Sequence, residues 1–329
     1  MLELAYVGQC CGRLIDEVII QFLLGYDFPS NLTLVINELT KSYTNLKSII
    51  LYCGEDEPEP SDITDQALLA LTIAYPMLEH ISIAYLTFTR QTAGILAKFT
   101  NLKSIKYSYC NSLIDEDITS LFCSMSNLTR FSIADSADIS DAAIIAIAPY
   151  CTSLELLDIS SYILTDLALY ALAPHCSSLH VLVMSEMEHV TDAGISALIQ
   201  GCPLLIELDI NLSVESSIIR SPQCMLDICN SCPMLQCIRL PKYDYDVIAY
   251  LLQHGRSLRK IAWNGIGINP NKPPPIPNNP RLFKLLEHYN WNSYSSEGDP
   301  VCIKKHAYTM SAYTAWSDYD HWDKPMPGS

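Results

Sequence analysis

The chain has 329 residues, 49% of them apolar, and a formal net charge of −16. No apolar run reaches the roughly 18–20 residues of a membrane-spanning helix, and an acidic surface repels the phosphates of nucleic acids. We therefore expect neither a membrane nor a nucleic acid as a partner. The start of the chain has no basic region followed by a long apolar stretch, so we expect a cytoplasmic or nuclear protein.

Residues 1–45 predict two consecutive amphipathic helices, at about Asp16–Leu24 and Ser30–Ser42. The break between them contains Gly25 and Pro29, which are typical helix-ending residues. An alternative interpretation is an irregular N-terminal repeat cap, because the segment Leu32–Leu46 also fits the repeat pattern that follows.

From residue 46 to residue 264 the sequence repeats itself about every 25 residues. Each unit opens on a leucine with apolar residues three and five positions later, which predicts a short strand. A repeat of this length predicts a solenoid of stacked units. The nine anchor leucines are Leu46, Leu78, Leu102, Leu128, Leu154, Leu179, Leu205, Leu235 and Leu258.

The second half of each unit predicts an amphipathic helix that begins 14 residues before the next anchor. A Ser or Thr at this position can cap the helix, and an acidic residue after it favours the positive end of the helix dipole. Cysteines recur at the helix ends, and we interpret them as small buried apolar groups in a reducing compartment. The predicted helix starts are Thr64, Ile114, Ser140, Thr165 and Thr191.

This pattern resembles the cysteine-containing leucine-rich repeat of F-box/LRR proteins. The resemblance implies an α/β horseshoe solenoid, with a parallel β-sheet on the concave face, helices outside, and a small N-terminal helical segment. It also implies that the N-terminal helices form an F-box, which binds a Skp-family adaptor and cullin complex. The residues at the matching positions are Leu14, Asp16, Glu17, Ile19, Phe22, Leu23, Pro29 and Leu32.

Two segments depart from the repeat. The acidic insert Gly54–Asp62 predicts a solvated loop. Residues 265–329 predict a Pro-rich linker, including Asn269–Pro280 in polyproline II conformation, and an aromatic, largely irregular tail.

The sequence contains no nucleophile, phosphate-binding or zinc-protease motif, so we expect neither an enzyme nor a cofactor. Cys224, Cys229, Cys232 and Cys237 are the best candidates for a metal site. Because Cys232 is a repeat cysteine and Cys237 lies in a predicted strand, we expect no metal there.

The outward positions of the predicted strands form two columns on the concave face. Leu156, Val181 and Val183 predict an exposed apolar centre, an arrangement common in protein interfaces. The charged residues predicted to surround this centre are Lys106, Arg130, Asp158, Glu207 and Asp209.

The resemblance therefore predicts the substrate-recognition subunit of a Skp–cullin–F-box (SCF) ubiquitin ligase, acting in ubiquitin-dependent protein degradation, with a protein substrate on the concave face. One alternative is an LRR interaction scaffold without a ligase role. Another is a secreted recognition protein, which only the glycosylation sequons at Asn31, Asn127 and Asn211 suggest.

Overall fold

A computed structural model describes residues 17–21, 39, 41, 43–52, 61–84, 89, 91–108, 110, 113–125, 127–134, 139–185, 187–210, 221–240, 250–251 and 253–263. The chain divides into two units, Met1–Pro275 and Ile276–Ser329, and every described residue lies in the first. The predictions for residues 54–60 of the acidic insert and for residues 265–329 fall outside the described residues.

In the described part of the chain, ten parallel strands form one sheet in which each strand pairs with the next along the chain. Each pairing aligns equivalent positions of two repeats, such as Leu157 with Leu182. The strands are β1 (Glu17–Gln21), β2 (Ser48–Tyr52), β3 (His80–Ala84), β4 (Ser104–Ser108), β5 (Arg130–Ala134), β6 (Leu156–Asp158), β7 (Val181–Val183), β8 (Glu207–Asp209), β9 (Cys237–Leu240) and β10 (Lys260–Trp263).

Helices follow the strands β2 to β8 and pack against one side of the sheet. The fully described α-helices are α1 (Ser61–Ala74), α2 (Thr92–Leu96), α3 (Asp115–Ser124), α4 (Asp141–Ile147), α5 (Asp166–Leu172), α6 (Asp192–Gln200) and α7 (Pro222–Ser231). Short 3₁₀ helices extend α4 and α5, at Ala148–Ser153 and Ala173–His175.

The core lies between the sheet and the helices, and all nine predicted anchor leucines are buried in it. Burial of one leucine side chain contributes about 1.5–3 kcal/mol. The repeat cysteines are buried beside the anchors, and the carbonyl of Cys151 accepts a 3.0 Å hydrogen bond from the Leu154 N–H. The same bond joins Cys176 to Leu179, so this backbone turn fixes the three-residue spacing between the end of the helix and the anchor leucine.

The predicted helix starts Ile114, Ser140, Thr165 and Thr191 are confirmed as N-cap residues. α1 differs, since it begins at Ser61, directly after Pro60 and three residues before the predicted Thr64.

Adjacent helix starts are joined by hydrogen bonds from one cap to the acidic residue of the preceding helix. The Ser140 N–H donates to Asp115 at 2.8 Å, and the Thr165 N–H donates to Asp141 at 2.9 Å. Each cap hydroxyl donates to the same carboxylate. The Thr-Asp pairs therefore connect neighbouring repeats, a role beyond the predicted interaction with the helix dipole.

The N-terminal segment contains a correction. The sequence predicted a helix here, but Glu17–Gln21 forms the strand β1. This strand pairs in parallel with Ser48–Tyr52. The run Val18-Ile19-Ile20 is rich in β-branched residues, which favour strands. The edge of β2 supplies a partner that the prediction did not include. The strand lies where the predicted F-box would place a helix.

The parallel sheet, the helices on one side of it and the repeat of about 25 residues confirm the predicted α/β leucine-rich-repeat solenoid. Among the described helices, none is both long and apolar enough to cross a membrane.

Candidate protein-binding face

The side chains of the strands alternate between the core and the opposite side of the sheet. We call that opposite side the strand face. Strand pairing aligns its residues in two rows, which match the two predicted columns over the paired positions. The first row contains Ser48, His80, Ser104, Arg130, Leu156, Val181, Glu207, Cys237 and Lys260. The second contains Ile50, Ser82, Lys106, Ser132, Asp158, Val183, Asp209, Arg239 and Ala262.

These rows bring all eight predicted concave-face residues onto neighbouring strands. In the first row, Arg130 pairs with Leu156, and Val181 lies between Leu156 and Glu207. In the second row, Asp158 and Asp209 flank Val183. Neighbours in a row are about 4.8 Å apart, so the eight residues form one continuous surface.

The apolar centre is not exposed, however. Leu156 and Val181 are only 2% and 6% exposed, and Val183 is half-buried. The prediction treated every outward strand position as solvent-exposed, whereas in-register pairing flanks each side chain with a neighbour on both sides. The prediction of exposure is therefore wrong for Leu156 and Val181.

A network of buried serines surrounds the carboxylate of Asp158. Ser132 Oγ donates to Asp158 Oδ2 at 2.9 Å. The N–H and the hydroxyl of Ser160 donate to Oδ1 at 3.1 and 2.8 Å. Ser160 Oγ in turn accepts a 3.0 Å bond from the Ser185 N–H. These bonds offset the cost of burying a carboxylate, and they fix the orientation of Asp158 at the centre of the face.

An ion pair lies further along the second row. Asp209 Oδ2 is 3.2 Å from Arg239 Nη1, and both side chains are largely buried. Lys106, on the other side of Asp158 in the same row, is also buried. The half-buried residues Arg130, Val183 and Glu207 provide the more accessible groups of this part of the face.

The cysteines of the described residues are thiols, not disulfides, and most are buried. Burial, with a smaller effect from Cys229, raises the pKa of Cys232 from 9.0 to about 12. Burial also raises the pKa of Cys229 to about 11. These thiols are therefore protonated and unreactive near neutral pH. Cys224 lies in α7 and Cys237 in β9, and no group of metal-binding side chains occurs among the described residues.

Of the predicted adaptor-binding residues, the structure places Glu17 and Ile19 within β1. The remaining predicted residues, Leu14, Asp16, Phe22, Leu23, Pro29 and Leu32, lie outside the described residues.

Sequence reasoning missed Ser160 and Ser185, which complete the network around Asp158. The signal is a serine that directly follows the final apolar strand position, Ile159 or Met184, in two consecutive repeats.

No protein-family model and no curated protein sequence matches the chain. Among solved structures, it is similar to the Rad7 and Elc1 complex in yeast, at 17% identity and a TM-score of 0.52, covering 74% of this chain and 68% of that chain. It is also similar to the leucine-rich repeat-containing protein LegL7 from Legionella pneumophila, at 14% identity and a TM-score of 0.49, covering 88% and 96%. A third similar structure is an internalin from Listeria monocytogenes, at 17% identity and a TM-score of 0.43, covering 79% and 64%. The sequence identity to all three solved proteins is low, between 14% and 17%.

Proposed function

We propose that this protein is a recognition scaffold that binds a protein partner through the strand face. The observation that carries the proposal is the alignment of Lys106, Arg130, Leu156, Asp158, Val181, Val183, Glu207 and Asp209 in two adjacent rows. Buried apolar and hydrogen-bonded groups form a rigid floor, with half-buried side chains among them. Such a mixture suits a protein interface, which combines a desolvated centre with a polar rim.

The chemistry of the face favours binding over catalysis. Asp158 is held by three hydrogen bonds, and Asp209 is paired with Arg239. A catalytic group must instead be aimed at a reacting atom, beside a base or an orienting partner. We therefore propose a non-enzymatic role, and the buried thiols favour a reducing compartment such as the cytoplasm or nucleus.

A lysine at Val183 tests the strand face directly. Val183→Lys places a cation between the carboxylates of Asp158 and Asp209, so we expect the fold to tolerate it. Gln200→Lys, an exposed position on α6, adds the same charge on the helix side. The tagged protein and both variants would be purified from cells with quantitative mass spectrometry, and their folding compared by circular dichroism. We expect a partner whose recovery falls at least tenfold with Val183→Lys and is unchanged with Gln200→Lys. Equal recovery of all partners would contradict a strand-face site.

A second candidate is the finer role of substrate-recognition subunit of an SCF-type ubiquitin ligase. The cysteine-containing repeat pattern and the F-box-like residues favour it, and the similar Rad7 structure was solved in complex with Elc1. The strand at Glu17–Gln21 counts against an F-box helix at that position.

Adaptor binding distinguishes this candidate from a scaffold without a ligase role. Deletion of residues 1–45 would remove β1 from the sheet, so the double variant Leu14→Ala/Leu32→Ala is the better test. If the ligase role holds, a Skp-family adaptor and a cullin co-purify with the wild-type chain and are lost with the double variant. Failure of the wild-type chain to recover any adaptor would exclude the ligase role and leave the scaffold role intact.

A further inference from the structure

The outward surface of α4 and α5 differs from that of the helices on either side. The positions compared lie 12, 9 and 8 residues before the next anchor leucine. In α3 they hold Glu116, Thr119 and Ser120, in α6 Ala193, Ser196 and Ala197, and in α7 Gln223, Leu226 and Asp227. In α4 they hold Ala142, Ile145 and Ala146, and in α5 Leu167, Tyr170 and Ala171.

The large apolar side chains at these positions in α4 and α5 are well exposed. Ile145 is 47% exposed, Leu167 60% and Tyr170 46%. Single exposed apolar residues are common, but adjacent ones that form a patch mark an interaction site. We call Ala142, Ile145, Leu167 and Tyr170 the helix patch.

Repeat geometry brings these residues together. Ile145 and Tyr170 occupy equivalent positions on adjacent helices, and packed helices lie about 8–10 Å apart. Leu167 and Tyr170 are three residues apart, on one face of α5, as are Ala142 and Ile145 on α4. The patch therefore spans two neighbouring helices that contact each other.

The stretch of sequence that contains the helix patch carries formal charge of one sign only. Residues 131–219 contain twelve Asp and Glu residues and no Lys or Arg. Near the patch, Glu116 is exposed at the corresponding position of α3. Asp141 and Asp166, the first residues of α4 and α5, are half-buried and keep their negative charge while they accept hydrogen bonds from the next repeat. This charge favours a partner that carries positive charge beside its apolar side chains.

We propose that the helix patch binds a basic amphipathic helix of a partner protein. Apolar side chains at helical spacing fit the patch that spans α4 and α5, and flanking Lys or Arg residues complement the surrounding carboxylates. This surface lies on the helix side of the sheet, opposite the strand face, so a helix bound here leaves the strand face uncovered.

The test uses a fluorescently labelled 18-residue peptide with Leu at helical spacing and Lys at the remaining positions, measured by anisotropy with the full chain. A matched peptide carries Glu in place of Lys. The chain variants are Leu167→Ser/Tyr170→Ser and the control Leu69→Ser/Ile73→Ser, which alters exposed apolar residues of α1. Because all four side chains are exposed, we expect both variants to fold.

We expect the Lys peptide to bind the wild-type chain and the α1 control with equal affinity, and the patch variant at least tenfold more weakly. Binding should also weaken as NaCl rises from 50 to 300 mM, because salt screens charge pairs at the surface. Equal binding of the Lys peptide by all three chains, or equal binding of the Glu peptide, would overturn the proposal. Concentration-dependent self-association that the patch variant abolishes, measured by sedimentation, would assign the patch to a second copy of this chain and would also overturn it.

Discussion

The carboxylate of Asp166 accepts two hydrogen bonds from Thr191 of the next repeat, one from its N–H at 2.7 Å and one from its Oγ1 at 2.5 Å. The same Thr191 Oγ1 accepts a 3.2 Å bond from the Ala193 N–H and so caps α6. Thr191 thus supplies an acceptor for a free backbone N–H at the start of α6 and attaches that helix to α5. In a solenoid each repeat contacts only its neighbours, so interfaces between repeats hold much of the stability.

This relationship predicts a measurable coupling energy. Because these hydrogen bonds lie at the surface, each contributes about 0.5–1.5 kcal/mol, and we expect Asp166→Ala and Thr191→Ala each to lower the free energy of unfolding by an amount in this range. In a double-mutant cycle measured by urea denaturation, the coupling should exceed about 0.5 kcal/mol, as expected for residues in direct contact. Glu188→Ala, at an exposed acidic residue, should have little effect. Strict additivity of the two changes would contradict the proposed link between repeats.

Gly201 predicts a second effect at a repeat interface. A Cβ atom at Gly201 would lie 1.8 Å from the carbonyl oxygen of Ala173 in the preceding repeat. Because that oxygen belongs to the backbone, the repeats must move apart, and we expect Gly201→Ala to destabilise the protein by about 1–3 kcal/mol. The control is Gly94→Ala, since a Cβ there has nothing within 4 Å and alanine favours a helix over glycine by about 0.5–1 kcal/mol. The midpoint temperature of thermal unfolding should fall for Gly201→Ala and rise for Gly94→Ala. A shift of both midpoints in the same direction would contradict the steric explanation.

The buried thiols predict a loss of stability at alkaline pH. The pKa of Cys232 is about 12 in the folded chain, against 9.0 for an unperturbed thiol. Above pH 9 the unfolded chain therefore releases a proton that the folded chain keeps, so the stability present below pH 9 declines as the pH approaches 12. The expected slope is about 1.4 kcal/mol per pH unit for each such thiol. The free energy of unfolding would be measured by urea denaturation at several alkaline pH values. It should fall less steeply with pH for Cys232→Ala than for Cys123→Ala, which changes an exposed cysteine. An identical slope would mean that Cys232 ionises equally in both states.

The same burial predicts which cysteines react in the native protein. Among the described residues Cys123 is exposed, whereas Cys151, Cys176 and Cys202 are buried. We expect iodoacetamide to label Cys123 rapidly, and the three buried thiols only after unfolding. Peptide mass spectrometry at several labelling times measures this directly. Fast native labelling of Cys176 would contradict its place in the core.

The periodic part of the fold could be predicted because the core and cap positions recur at fixed spacing. A leucine such as Leu154 and a cap such as Thr165 recur at fixed distances, and each repeat supplies the same neighbours to the next. The strand at Glu17–Gln21 could not be predicted in this way, since a short apolar run fits a helix or a strand until its pairing partner is known.

The candidate surfaces were harder to predict. The sequence indicated which side chains point away from the core, but not that Leu156 is buried while Leu167 is exposed. Both leucines belong to the apolar pattern of a repeat, and only the packing of neighbouring elements distinguishes them. The arrangement of serines around Asp158 depends likewise on the pairing of β5 with β6.

Site-specific photocrosslinking tests the central claim, that the strand face recognises a protein, most directly. A photoreactive phenylalanine analogue would be placed at Val183 on the strand face and, as the control, at Gln200 on the helix side. The account predicts that a partner recovered with the wild-type chain crosslinks at Val183 and not at Gln200. Crosslinking of that partner at Gln200 alone would contradict recognition through the strand face.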